Sequence, residues 1–531
     1  MFVRAKQVGN YTYLQLVENY RDGGRVRQRV VATLGRLDRL QARGGVDALL
    51  RSLARFAEKV QLQEAYREGS LAVLGERAVG PALVFGRLWQ ELGLKEILEE
   101  RLRGRKFSFP VERVVFGSVL HRLFEAGSDR QCHRFLRDVW VPGGEETQLQ
   151  HLYRAMRFLG EEKEKIEEGL FFRNRDLFSQ LKLVFFDTTS FYFHGEGGEL
   201  GERGYSRDRR PELKQVVVGA LLSGDGRPIA CEVWPGDFAD VEALLPVVDR
   251  ARERFPLGEV CFVADRGMVS REVLGGLEAR GVHYILGMRL RKDKEVRGEV
   301  LSRPGRYRKV AENLWVKEVW VEDRRYVLCY NPREAEREAV ERGLILEALE
   351  EKLSQGPKAL VGNRGFRRYL VLEKGAVRID RRKVAEEARY DGKWVLRTNT
   401  DLPAWEVALK YKGLLEVERF FRAAKGLLET RPIFHKFAST ICGHIFVSFL
   451  ALVLVHELKE RLKRKGVEAE WKDVVRDLLE VREVEVLHGG RRYLLRPPLK
   501  GAAGKVFGAV GVAVPPPARE VRGAKTDVRG S

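Results

Sequence analysis

LVFFDTTSFYF, residues 183–193, is an apolar run that carries an aspartate, Asp187, at its centre. A strand covered on both faces reads as a near-continuous hydrophobic run. An isolated ionised carboxylate in such a place costs several kcal/mol unless a positive group compensates it. The run therefore predicts a central strand from about 181 to 193 with a cation beside Asp187. Working outward, KQVVVGALL (214–222) and RPIACEVWP (227–235) are two more strand candidates, joined by the hairpin turn SGDG. A helix follows in ADVEALLPVVDRARERF. Then come a short buried strand in EVCFVADRG, a helix from Ser270 to about Arg280, and another short strand in VHYILGM.

Strand, strand, strand, helix, strand, helix, strand is the order of a ribonuclease H-like α/β core, expected over 179–289. Before it, residues 1–35 alternate as strands around the turn RDGG, giving an N-terminal β-ribbon. On its second strand Arg25, Arg27 and Arg29 share one face, a pattern that suits a solvated face and a phosphate-facing ribbon equally. Residues 36–178 carry helical spacing and are expected to be an all-helical arm. After the core, 290–404 holds Trp-rich strand material, a charged helix and the strand KWVLRTN. It is too long and too patterned for a loop, and reads as an inserted β-rich subdomain. Helical periodicity returns over 405–465, continuous from Trp405 to about Leu428. The C-terminal region, 466–531, ends in a tail with KGAAGK and PPPAR that is expected to be weakly ordered.

Composition narrows the function classes. At 531 residues the chain needs three or more folded regions, and 44% hydrophobic with 32% charged residues marks it as globular. A formal charge of +20 favours a polyanionic partner, nucleic acid before others. The five scattered cysteines form no CxxC pair, which argues against a disulfide framework and a structural zinc site. The N-terminus lacks an apolar signal region, and the apolar stretch 445–458 reads as too short to span a bilayer. A reduced cytoplasm without membrane attachment is expected.

The aspartate of the opening run has a counterpart. VCFVADRG is again an apolar strand that delivers an aspartate, Asp265, at its end, followed by Arg266. If the two strands are neighbours, two carboxylates emerge side by side and repel. A pair of divalent cations removes that conflict, and Mg²⁺ suits oxygen donors. Read singly, either aspartate serves equally as a turn former or helix cap. A third carboxylate is expected from the helix YKGLLEVERFFRAAKGLLETRPIFH, where Glu418, Arg422 and Lys425 lie on one stripe with Tyr411 two turns earlier. Glu416 points elsewhere. A solvated face with an ordinary Glu–Arg pair gives the same spacing.

Taken together, FFDTTSFYF, the loop GYSRDRRPELKQ (204–215), VADRG and VERFFRAAKGLLETRPIFH resemble the DDE transposases of bacterial insertion sequences. The likeness is to the large group with a β-rich insertion and a Tyr-x2-Arg-x3-Glu-x6-Lys signature. Tyr411, Glu418 and Lys425 match that signature, and Leu414 stands where it has arginine, leaving open whether Arg419 or Arg422 replaces it. The resemblance covers roughly residues 1–460. It implies Asp187, Asp265 and Glu418 as catalytic and metal-binding residues, and two Mg²⁺ or Mn²⁺ ions per site. Implied DNA contacts are Tyr411, Arg422, Lys425, Arg207, Arg209, Arg210, Lys214 and Arg266. It also implies double-stranded DNA partners (the element's ends and its target), a homodimer on DNA, and residence in the bacterial nucleoid. Trp315, Trp320 and Trp394 are candidates for stacking on a base, or for core positions.

Two rivals share most of these features: a metal-dependent nuclease of the same core that cuts without joining, and a non-catalytic DNA-binding relative. A nucleotide-driven enzyme is disfavoured, since GAAGKV (501–506) lacks P-loop spacing, and HELKE (456–460) lacks the second histidine of a zinc protease.

Overall fold

The computed structural model describes residues 1–42, 44–54, 58–174, 182–257, 259–355, 368–373 and 376–521, in two compact units. The first unit comprises 1–77, 482–498 and the chain from 515 onward. It holds an antiparallel sheet of Phe2–Val8, Tyr11–Asp22 and Arg25–Arg36, in which Glu18 faces Arg29 and Tyr20 faces Arg27. Short helices follow over Leu37–Ala42, Gly45–Ala54 and Glu58–Arg67. A second sheet orders Ala518–Glu520, Arg491–Leu495, Arg482–His488 and Leu71–Ala78. The strand Leu71–Ala78 lies inside the stretch read as helical. Its partner is some four hundred residues away, so local periodicity gives no sign of the pairing. PPPAR likewise ends in an edge strand, and residues 522–531 of the expected tail lie outside the described residues.

The second unit, Ala78–Val481 with Leu499–Val514, carries the aspartates. Five helices lead in: α1 (Gly80–Glu91), α2 (Leu94–Leu102), α3 (Val111–Phe124), α4 (Asp129–Asp138) and α5 (Leu149–Arg173). The opening run then forms β1 (Leu183–Tyr192), followed by β2 (Gln215–Ser223), β3 (Pro228–Pro235), α6 (Asp240–Arg254), β4 (Cys261–Ala264), α7 (Arg271–Ala279) and β5 (His283–Gly287). Next come β6 (Arg308–Ala311), β7 (Leu314–Val321), β8 (Arg324–Tyr330), α8 (Pro332–Ser354), the hairpin β9 (Leu370–Glu373) and β10 (Ala376–Ile379), α9 (Arg381–Ala388) and β11 (Lys393–Thr398). The chain ends this unit with α10 (Ala404–Lys412), α11 (Leu414–Arg422), α12 (Ala438–Arg464), α13 (Trp471–Leu479) and α14 (Ala503–Val510).

One nine-stranded sheet runs β6-β7-β8-β11-β5-β4-β1-β2-β3. The strands expected as a separate inserted subdomain therefore extend the core sheet, because β11 pairs antiparallel with β5 through Leu396↔Gly287 to Thr398↔Ile285. That pairing satisfies an edge whose backbone groups would otherwise face solvent. The strands β1, β4 and β5 are parallel, β2 runs antiparallel to β1, and β3 runs antiparallel to β2. Alternate residues of β1 face opposite ways. Phe185 joins one buried cluster with Val417, Phe421 and Phe446, while Phe186 joins another with Val247, Leu274 and Leu277. Both faces of β1 are covered, which is why it is apolar on either side of the polar stretch Asp187–Ser190.

α12 corrects the expectation about residues 445–458. The helix has 27 residues with a window of mean hydropathy 2.2, long and apolar enough to cross a membrane. Of that window 83% is buried within the protein, where α12 packs on α3 and α5. KGAAGK, read as weakly ordered, enters α14, whose Ala503, Val506, Phe507 and Val510 are buried on one stripe. Small residues hid that stripe from the composition.

Candidate active site

The register of the parallel strands builds the site. Phe186 pairs with Ala264 and Ala264 with Leu286, so the next residues along, Asp187, Asp265 and Gly287, stand at one level of the sheet. The two aspartates are thereby delivered side by side. Burial pushes the Asp187 carboxyl up to about 6, reinforced by Asp265 and Asp240 against the pull of Arg207 and the Thr188 N–H. The Thr188 N–H donates to Asp187 Oδ1 at 2.7 Å. The compensating cation is Arg207, with Nη1 3.7 Å from Asp187 Oδ1.

Asp240, the first residue of α6, is a fourth carboxylate that the sequence reading did not include. Arg207 Nη2 donates to Asp240 Oδ2 and to Thr188 Oγ1, both at 2.7 Å, and the Thr188 hydroxyl donates to Asp240 Oδ1 at 2.7 Å. Its position at a helix start looks like an ordinary capping acid. Only the packing of α6 against the sheet brings it to Asp187.

Tyr411 and Glu418 do not sit on one continuous helix. The helix breaks at Gly413, between α10 and α11, and the Lys425 stretch Ala423–Leu427 is a π-helical turn. A Cβ on Gly413 would lie 2.1 Å from the Phe185 ring, so only glycine lets this helix pair cross β1 so closely. Gly287 has the same role for Tyr411, whose hydroxyl would be 2.3 Å from an added Cβ. Through that gap Tyr411 Oη donates to Asp265 Oδ1 at 3.0 Å. Burial and the neighbouring Asp265 hold the Tyr411 hydroxyl well above its usual pKa, so it remains a donor.

Glu418 is exposed on α11 and lines, with Asp187, Asp265 and Tyr411, a cavity of about 460 Å³ that also takes in Trp394. An adjoining cavity of about 650 Å³ shares Asp187, Asp265 and Arg266 and adds Arg207, Asp240 and Arg289. Arg289 donates to the carbonyls of Arg266 at 3.1 Å and Gly267 at 2.9 Å. Among the described residues, no three His, Cys, Asp or Glu side chains are gathered closely enough to hold a metal ion together.

The remaining residues expected at the site are spread out. Arg422, Arg209, Arg210 and Lys214 line neither cavity, and the first three are exposed. Lys425 is 13% exposed and donates to Asp208 Oδ1 at 3.0 Å, and Arg431 pairs with the same carboxylate. Burial lowers the Lys425 ammonium pKa in spite of Asp208. Asp208 and Arg431 were absent from the sequence reading; their pairing depends on a loop folding back onto the turn that carries Lys425.

The model of the transposase DDE domain matches residues 179–454, and that of the IS1634 family transposase N-terminal domain matches residues 3–65. No curated protein matches the sequence. Among solved structures, a piggyBac transposase synaptic complex with hairpin DNA aligns with 75% of this chain and 79% of its own, at 12% identity and a TM-score of 0.35. A Mos1 transposase paired-end complex with the left transposon end aligns with 34% of this chain and 60% of its own, at 15% identity and a TM-score of 0.15. The domain match spans the aspartate-bearing strands, the inserted strands and the Glu418 helix alike, and the chain belongs to the DDE transposases of insertion sequences.

Proposed function

We propose that this transposase binds the ends of its element, nicks them, and joins the freed 3′-hydroxyl to target DNA, using Asp187, Asp265 and Glu418 as its reacting centre. One observation carries the assignment: these three carboxylates, distant in sequence, line a single cavity. The five strands β3-β2-β1-β4-β5 are read as a ribonuclease H-like core, in keeping with three parallel strands flanked by an antiparallel pair.

The donor set fits hard divalent ions such as Mg²⁺ or Mn²⁺. It offers only oxygens, and Asp187 is a carboxyl whose charge is penalised by burial and by Asp265 and Asp240, which is the penalty a cation relieves. Asp187 and Asp265 would hold the ions first, and Glu418 would complete the set when α11 closes on them. Two such ions, when bound, polarise the scissile phosphate and activate the attacking water or 3′-hydroxyl. The protein's own groups position: Tyr411 fixes one Asp265 oxygen and leaves the other free, Arg207 withdraws from Asp187, and Arg266 faces the substrate from the cavity rim. Catalysis of this kind is placement and charge stabilisation more than bond chemistry by side chains.

The excess of positive charge, +20 over the chain, suits a DNA partner whose affinity falls steeply with salt. The arginine face of the N-terminal ribbon is the proposed contact with the element's ends, and a homodimer holding two ends in the nucleoid is the proposed assembly. Asp187→Asn, Asp265→Asn and Glu418→Gln should each lower Mg²⁺-dependent cleavage by at least about 100-fold, beyond the range typical of outer-shell partners. Binding to end DNA should be retained. Full cleavage by any one variant removes that residue from the centre, and cleavage without joining in a strand-transfer assay identifies a nuclease instead.

A further inference from the structure

Residues 207 and 208 are an adjacent pair of opposite charges, and each meets the half of the site that carries the other sign. Arg207 reaches back to Asp187 at 3.7 Å and Asp240 at 2.7 Å. Asp208, 11% exposed, lies between Lys425 and Arg431. Its Oδ2 is buried and, though beside Arg431, has no well-aligned hydrogen bond. Two cations around one imperfectly satisfied oxyanion form a cradle for a tetrahedral oxyanion with more acceptors than a carboxylate has. Aromatic faces back both cations: Lys425 Nζ is 5.8 Å from the Phe191 ring centroid and Arg431 Cζ 5.4 Å from that of Tyr192. Phe191 is four residues beyond Asp187 on β1, about 13 Å at the usual strand rise, so the cradle lies beside the reacting centre.

The segment that carries the pair is tethered by few bonds. The Arg207 N–H donates to Ser190 Oγ at 3.2 Å, and Gln215 Nε2 donates to the Tyr205 carbonyl at 3.0 Å. Arg209 follows with φ of 57°, a left-handed conformation that costs a non-glycine residue about 1 kcal/mol or more. Tyr205 is 85% exposed. A strained segment held mainly by its own charges is one that a stronger ligand can displace.

We infer that Lys425 and Arg431 form a clamp for a backbone phosphate of DNA, that Asp208 fills it as a carboxylate stand-in until DNA arrives, and that its displacement draws Arg207 off Asp187 and Asp240. DNA binding then opens the acidic centre to divalent ions, and by linkage the ions favour DNA. The inference rests on the proposed reading of the acidic centre, but its principal test needs neither metal nor cleavage, so the two fail separately.

The test is binding of the full-length protein to an end duplex and to an unrelated duplex in EDTA. Asp208→Asn should tighten both by about fivefold, the worth of one ion pair of modest strength. Adding Arg431→Gln should remove the gain. Unchanged or weaker binding by Asp208→Asn, or a gain that survives Arg431→Gln, overturns the clamp. Folding of Asp208→Asn is checked in the same terms: millimolar inorganic phosphate should raise its Tm more than that of the wild type, and equal shifts overturn the clamp. Should Asp208→Asn fail to fold, Arg431→Gln alone should weaken DNA binding with a salt slope shallower by about 1, and an unchanged slope overturns it. For the coupling, duplex DNA should raise Mn²⁺ affinity in the wild type but not in Arg207→Gln, which should bind Mn²⁺ tightly from the start. The same response in both removes the coupling.

Discussion

Tyr411 and Asp265 are joined by one hydrogen bond, and that bond gives Tyr411 a second reading beside the DNA contact. The resemblance to other transposases makes Tyr411 a DNA contact, whereas its hydroxyl here donates to Asp265 at 3.0 Å and is buried beside it. A donor on one carboxylate oxygen fixes the rotamer and orients the other oxygen toward a cation. Tyr411→Phe keeps the ring and removes only that donor. Cleavage in Mg²⁺ should fall by about 10–100-fold, the range for partners that orient metal ligands, while affinity for end DNA measured in Ca²⁺ or EDTA stays close to wild type. If Tyr411 instead touched phosphate, binding would weaken and its salt slope would become shallower.

At the scale of elements, the approach of α10 and α11 to β1 decides where Glu418 sits. Gly413 lies against Phe185 with no room for a Cβ, and the two helices meet there. Gly413→Ala should destabilise the protein by about 1–3 kcal/mol through overpacking, read as a lower midpoint in urea. A second substitution, Phe185→Leu, should restore part of that loss, because the clash is with the ring. Additive losses in the double variant would show that the two residues do not meet. The other close approach, of Tyr411 at Gly287, shows that the strand end is shaped for the helix as much as the helix for the strand.

Over the whole second unit, a buried charge network ties the helices to the sheet. Glu167 of α5 is fully buried and accepts the Cys231 N–H of β3 at 2.9 Å, Lys163 Nζ at 3.2 Å and Arg254 of α6 at 2.7 Å. Removing one partner strands the others, so Glu167→Gln should cost about 3–5 kcal/mol of unfolding free energy. Buried histidines lower stability in acid, against Asp187, whose raised carboxyl takes up its proton in the folded protein first and acts in the opposite sense. Burial lowers His121 to about 3 and holds His435 and His444 below the usual value of 6.5 as well. Each is neutral in the folded protein and takes up its proton on unfolding. Their contribution to stability is therefore full above about pH 6.5 and falls as pH drops toward the folded values, by about 1.4 kcal/mol per pH unit for each histidine at most. Tm measured from pH 7.5 to 5 should fall, and His121→Gln should flatten that fall.

What the sequence determined by itself is whatever a local period encodes. Residues 183–193 and 259–265 announced covered strands that carry aspartates, Asp187 at the centre of one and Asp265 at the end of the other, and the need for a cation beside Asp187 followed from the cost of burying charge. The helices at 239–255 and from Ser270 were legible too, and in the structure Ser270 Oγ accepts the Val273 N–H as a cap. Tertiary structure alone decided which cation answers Asp187, a loop arginine twenty residues on, and that Asp240 joins it. It also decided that β6, β7, β8 and β11 extend one sheet, and that Leu71–Ala78 is a strand. Periods of 2 and 3.6 describe which face a side chain takes within its own element. Partner, register and loop path are set by hydrogen bonds and packing between segments far apart in the chain, and no local pattern carries them.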